Sequence, residues 1–110
     1  MPSESLGLFV EIQTACGDEQ EARKIATAVV EKHLAACVHV FPITSIYRWK
    51  GGIETGNEWL CVIKTTHKRF PAIRDAVRQM HSYECPQIVM LPIIDGEKNY
   101  LDWLSDQVNE

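Results

Sequence analysis

No stretch of this 110-residue chain approaches the ~20 consecutive apolar residues that a membrane-spanning helix needs, so membrane insertion is not expected. There is no Gly-rich phosphate loop of the P-loop or dinucleotide-binding type, and no Cys-x-x-Cys pair. Basic residues are scattered: 11 Lys and Arg against 15 Asp and Glu give a net charge of −4, without the dense basic stripe of a nucleic-acid surface. Glycine (6) and proline (5) are sparse, which leaves no low-complexity segment or linker. Met1-Pro2-Ser3-Glu4-Ser5 has neither a basic region nor an apolar run, so no secretory signal is expected and residues 1–6 read as a frayed leader. Without an export signal, Cys16, Cys37, Cys61 and Cys85 are expected to be reduced thiols in a cytoplasmic protein.

What is present is the material of one ordinary globular domain covering residues 1–110. The chain is 45% apolar and 24% charged, and at this length folding buries roughly two-thirds of the surface of the unfolded chain. Gly7 to Ala15 alternates Leu8, Val10 and Ile12 with Phe9, Glu11 and Gln13, the period of a strand. Asp18 can cap a helix, with Glu21 in the capping-box position. Ala22, Ile25, Ala26, Val29 and Val30 then form an apolar stripe, opposite a charged face of Glu21, Arg23, Lys24, Glu31 and Lys32.

Ala35 to Trp49 is extended, with Pro42 marking a bulge or an edge. Lys50-Gly51-Gly52 is a tight turn, and Ile53 to Thr65 returns as the second arm of a long β-hairpin. A second helix begins near Arg69, buries Phe70, Ile73, Val77 and Met80, and tolerates Pro71 in its first turn. His81 to Pro86 is a loop. Gln87 to Ile94 is a continuous apolar run, expected as a strand buried on both faces. Tyr100, Leu101, Leu104 and Val108 mark one side of a last helix. The order β-α-β-β-α-β is an α+β, ferredoxin-like split βαβ pattern with an extra C-terminal helix.

The hairpin is too long for one domain. Each arm is roughly 14 residues, or about 45 Å at ~3.3 Å per residue, whereas a chain of ~100 residues folds to a globule about 35 Å across. Its tip carries Ile46, Tyr47, Trp49, Ile53 and Trp59. An isolated ribbon with such side chains is unstable in water, so closed pairing between copies is expected, with Ile46, Trp49, Ile53 and Trp59 at the interface.

Five segments in fixed order carry a resemblance: Leu34-Ala35-Ala36-Cys37-Val38, Ser45-Ile46-Tyr47-Arg48-Trp49-Lys50-Gly51, Lys64-Thr65, His81-Ser82-Tyr83-Glu84 and Leu91-Pro92-Ile93. Gly96, Tyr100, Leu101 and Trp103 follow. With spacing preserved from about Phe9 to Leu104, the chain resembles the CutA family of divalent-cation tolerance proteins. The resemblance implies a ferredoxin-like subunit, a stable homotrimer built by strand pairing between subunits, and kinship in shape with PII-type signalling proteins. It implies a role in tolerance of copper and other divalent cations, without established catalysis. Three departures stand out: Cys16-Gly17 where the family often has Cys-Pro, Ser82 where it often has Pro, and His39 where it often has Asn.

A copper or zinc site needs convergent thiolate, imidazole or carboxylate ligands, and the best candidates are Cys16, His81 and Glu84. The first and fourth strands are expected at opposite edges of the sheet, so these residues would meet across a subunit boundary. Cys37 and His39, two apart on a strand, share a face but supply two ligands only. His33 and His67 read as solvated or capping residues at helix ends. Lys64, Tyr83, Tyr47 and Trp49 are expected around an inter-subunit cleft that suits a small ligand as well as a metal. No nucleophile and base are brought together by spacing, so an enzyme is not expected. The alternative to metal tolerance is a trimeric sensor module that binds a small ligand in that cleft.

Overall fold

In the computed structural model, which describes residues 8–109, alternation at the N-terminus becomes strand β1 (Phe9–Cys16). The frayed leader expected at 1–6, and Gly7, lie outside the described residues. Val10, Ile12, Thr14 and Cys16 of β1 point to one face and are buried. Helix α1 (Glu19–Glu31) covers that face with Ala22, Ile25 and Val29. Val30 is exposed, so the stripe is narrower than its sequence suggested. Asp18 caps the helix by accepting from the Glu21 N–H at 2.8 Å, a contact worth about 1 kcal/mol. The capping box is only half formed, because the Glu21 carboxylate turns away to Ser82.

Strands β2 (Cys37–Trp49) and β3 (Gly52–Thr66) make the hairpin. Lys50 (φ 49°) and Gly51 (φ 84°) both take left-handed backbone, the two-residue turn whose twist matches the strands. Register runs unbroken from Cys37↔Lys64 to Trp49↔Gly52. Pro42 therefore makes no bulge; β2 is an edge strand, where its missing N–H is tolerated. A short 3-10 turn (His67–Arg69) leads into α2 (Phe70–Met80), which buries Ile73 and Val77 against the same core. β4 (Val89–Ile93) and α3 (Lys98–Val108) complete the chain. Arg69 binds the Val108 carbonyl and ties the end of α3 to the turn before α2.

The four strands lie in the order β2-β3-β1-β4, each pair of neighbours antiparallel. This is the ferredoxin-like arrangement, and it corrects the expectation that the first and fourth strands lie at opposite edges. β1 is central and pairs directly with β4, from Phe9↔Ile93 to Gln13↔Val89. β4 is an edge strand that is shorter than the apolar run containing it, and it is not buried on both faces: Val89 and Leu91 are exposed. Those two residues share the sheet face away from α1 and α2 with Phe41 and the Lys64–Glu11 ion pair (3.4 Å). Ile12, Ile25, Ile63 and Ile73 are fully buried on the covered face, each contributing about 1.5–3 kcal/mol.

Candidate functional site

Because β4 returns beside β1, the loop that follows α2 closes over the end of β1 within one chain. His81 is the residue it delivers. Its side chain has no solvent exposure. Nε2 lies 2.8 Å from the Ala15 carbonyl oxygen, which can only accept, so Nε2 carries the proton. Nδ1 then presents its lone pair, receiving the Tyr83 N–H at 3.1 Å. The Glu21 carboxylate stands 3.3 Å from the same nitrogen, held there by the Ser82 N–H (3.0 Å) and the Ser82 hydroxyl (2.8 Å).

Cys16 closes the group: its sulfur and one ligand atom each of Glu21 and His81 all lie within 4.8 Å of one another. Among the described residues this is the one such grouping of three potential ligands. Cys16 hydrogen-bonds with Cys61; that contact, then burial and the nearby Glu21 and Asp18 carboxylates, push its thiol well above the ordinary range. The Cys61 thiol in turn donates to the Ala22 carbonyl at 3.5 Å.

The structure thus brings together two of the three residues expected to bind metal. Glu84 is exposed and lines a neighbouring cleft; Glu21 stands in the place expected for it. In the sequence Glu21 belongs to the charged face of α1. Its position in the first turn, at the same sheet end as the loop before β4, was the available signal once β1 and β4 are neighbours.

The cleft has a volume of about 550 Å³ and lies between the hairpin and the 82–87 loop. Tyr47, Trp49 and Tyr83 line it, as expected, together with Lys50, Glu58 and Glu84. The Tyr83 hydroxyl donates to Glu58 Oε2 at 2.7 Å, and burial, followed by this bond to a carboxylate, raises the Tyr83 pKa. A Cβ at Gly17 would sit 3.3 Å from that hydroxyl, so the glycine lets the ring approach the backbone. Lys64, expected in the cleft, is instead on the sheet face away from α1 and α2, paired with Glu11 and largely covered.

The remaining expected residues are dispersed. Ile46 and Ile53 are 71% and 68% exposed, whereas Trp59 pairs with Cys16 and packs on the core. Cys37 Sγ and His39 Nε2 are 3.6 Å apart. His33, with left-handed backbone, donates from Nδ1 to the Gln107 carbonyl, and His67 is exposed. All four cysteines are unbridged. Among the described residues no helix is long and apolar enough to cross a membrane.

Residues 10–107 match the family model for CutA1 divalent ion tolerance protein. The chain is 48% identical over 89 residues to the divalent-cation tolerance protein CutA of Thermus thermophilus, covering 80% of this chain and 86% of that one. It is 50% identical over 96 residues to the human protein CutA, covering 86% of this chain and 53% of the human one. Among solved structures, the periplasmic divalent cation tolerance protein CutA from Archaeoglobus fulgidus superposes with a TM-score of 0.91 at 40% identity, covering 93% of this chain and all of that one.

Proposed function

From the premise that this chain belongs to the CutA1 divalent ion tolerance family, we propose that it serves tolerance of divalent cations as a non-catalytic homotrimer, each subunit holding one metal ion, copper foremost, at Cys16, Glu21 and His81. The observation that carries this reading is the convergence of these three side chains at the end of β1. A sulfur, an imidazole nitrogen and a carboxylate oxygen form the donor set of copper and zinc sites rather than of magnesium or calcium sites.

The donors fit such an ion. The His81 Nε2–H bond to a backbone carbonyl is the support that metal-ligating histidines usually have, and it makes Nδ1 the nitrogen with a lone pair to offer. The 3.3 Å between Nδ1 and Glu21 is close to the roughly 3.4 Å edge expected for nitrogen and oxygen ligands in tetrahedral coordination. All three ligand atoms lie within 4.8 Å of one another, against a sulfur–nitrogen edge of roughly 3.6 Å in tetrahedral coordination, so small side-chain adjustments suffice to close the site. The Cys16 thiol must lose its proton to bind, and Tyr83 N–H must release Nδ1. Support for the trimer comes from Ile46 and Ile53 on the projecting ribbon and from Phe41, Val89 and Leu91, which are exposed on the sheet face away from α1 and α2.

The test is calorimetric titration of metal-free protein with copper(I), copper(II) and zinc(II) under non-oxidising conditions, with mass followed by light scattering. One ion per subunit, lost in His81→Ala, on a particle of three subunits, is the expected result. Weak binding without stoichiometry would overturn the metal assignment, and a monomer would overturn the assembly.

A further inference from the structure

Nothing in the metal reading uses the cleft beside it. Three aromatic side chains face this space and all retain solvent access: Tyr47 is 46% exposed, Trp49 41% and Tyr83 39%. Its volume, about 550 Å³, is within the range of small-molecule sites. Two carboxylates, Glu58 and Glu84, line it against one ammonium, that of Lys50. Aromatic faces carry negative potential and attract cations. The chain already exploits this: Lys50 Nζ sits 5.6 Å from the centre of the Trp49 ring.

We propose that this cleft binds a small organic cation of the alkylammonium class, held between the Tyr47, Trp49 and Tyr83 rings and the Glu58 carboxylate. Glu58 is aimed by the Tyr83 hydroxyl, which occupies Oε2 at 2.7 Å and leaves Oε1 for the ligand. Gly17 gives Tyr83 room there, since a Cβ would sit 3.3 Å from its hydroxyl. Lys50 acts as a resident competitor: its ammonium takes one ring face in the empty cleft, and an incoming cation displaces it. Anions are disfavoured by the two carboxylates. Inorganic cations lack a chelating set here, since Glu58 and Glu84 belong to no group of three ligands among the described residues. This site shares no ligand side chain with the metal at Cys16, Glu21 and His81, but Ser82 and Tyr83 border both, so the cleft is tested on metal-free protein.

The full chain, metal-free, is titrated calorimetrically with tetramethylammonium chloride and with the uncharged isostere tert-butanol, ionic strength being held with sodium chloride. Saturable binding of the cation, with the isostere at least tenfold weaker, is expected, the difference being the charge–ring and charge–carboxylate attraction at about 1.4 kcal/mol per factor of ten. Trp49→Leu and Glu58→Gln should each weaken binding by several-fold. Lys50→Asn removes the competitor while suiting the left-handed turn, and should tighten binding. It also keeps the test decisive if Trp49→Leu disturbs assembly. Equal binding of the isostere, no saturation, or weaker binding in Lys50→Asn would overturn the proposal.

Discussion

His81 Nε2 donates to the carbonyl oxygen of Ala15 at 2.8 Å, joining the loop after α2 to the last residues of β1. The bond stabilises a buried imidazole in one tautomer and turns its other nitrogen toward Glu21. Glu21 in turn is fixed by both hydrogen-bond donors of Ser82, the residue next to His81. Helix start, strand end and loop are thus locked by one short set of polar contacts. Prealigned ligands of this kind lose little freedom when an ion binds.

Glu21 and Glu84 are separated by this geometry, and substitution distinguishes them. Glu21→Gln should weaken copper(II) and zinc(II) binding by roughly 10–100-fold, the range seen when a ligand or its immediate support is removed. Glu84→Gln should leave metal affinity unchanged, because Glu84 faces the cleft. Titration of both variants beside the parent decides between them.

Metal binding should strengthen with pH. The Cys16 thiol, raised by its bond to Cys61, by burial and by nearby carboxylates, is protonated throughout the neutral range. A metal that takes the thiolate expels that proton. Below the raised pKa, apparent affinity should therefore rise about tenfold per pH unit for each proton released. It should fall correspondingly on acidification. Calorimetry at several pH values, in buffers of different ionisation heat, measures the proton count. Cys16→Ala should abolish that contribution.

The four thiols should fall into separate reactivity classes. Cys85 is exposed, Cys37 is half-buried, and Cys16 and Cys61 are fully buried beside one another. In the metal-free native protein Cys85 should react with a thiol reagent first. Cys16 and Cys61 should react only when the chain unfolds. Mass spectrometry of partially labelled protein reads the order. Early labelling of Cys16 would show that the end of β1 opens locally.

How much of this was legible depends on what each pattern encodes. Alternation in β1, the Asp18 cap and the Lys50-Gly51 turn are local, and all three appear where the residues place them. Sheet order is not local. The same alternation fits β1 at an edge or at the centre, and pairing with β4 is decided by how α1 and α2 pack. That pairing determines whether Cys16 meets His81 within one chain, so an error in strand order became an error in the site. Glu21 was hidden for a related reason: a carboxylate in the first turn of a helix reads as solvated unless its loop partner is known. Lys64 fits an aromatic cleft by composition, but its position opposite Glu11 in the β1–β3 register holds it on the sheet face. The apolar residues of β4 suggested two buried sides; one side is covered by the helices, and in the single chain the other faces outward.

The ribbon offers the sharpest test of assembly. β1 ends at Cys16, opposite Trp59, so the hairpin beyond that pair has no third strand to support it. It gives the subunit a long axis of 47 Å against 28 and 22 Å across. Ile46 and Ile53 are near-opposite across the two arms, since Ile46 pairs with Thr55 and Ile53 with Arg48. They lie on the ribbon face opposite Tyr47 and Trp49, which face the cleft. Two isoleucines left in water on an unsupported ribbon favour burial by another copy, and strand pairing there also satisfies the free edge of β2. Charging that face should reverse the preference. Ile46→Asp combined with Ile53→Asp should lower the mass in light scattering from three subunits toward one, with the core preserved by circular dichroism. Lys50→Asn, at the turn itself, should leave the mass unchanged. A double variant that keeps the parent mass would show that the subunits associate through the open sheet face around Leu91 instead.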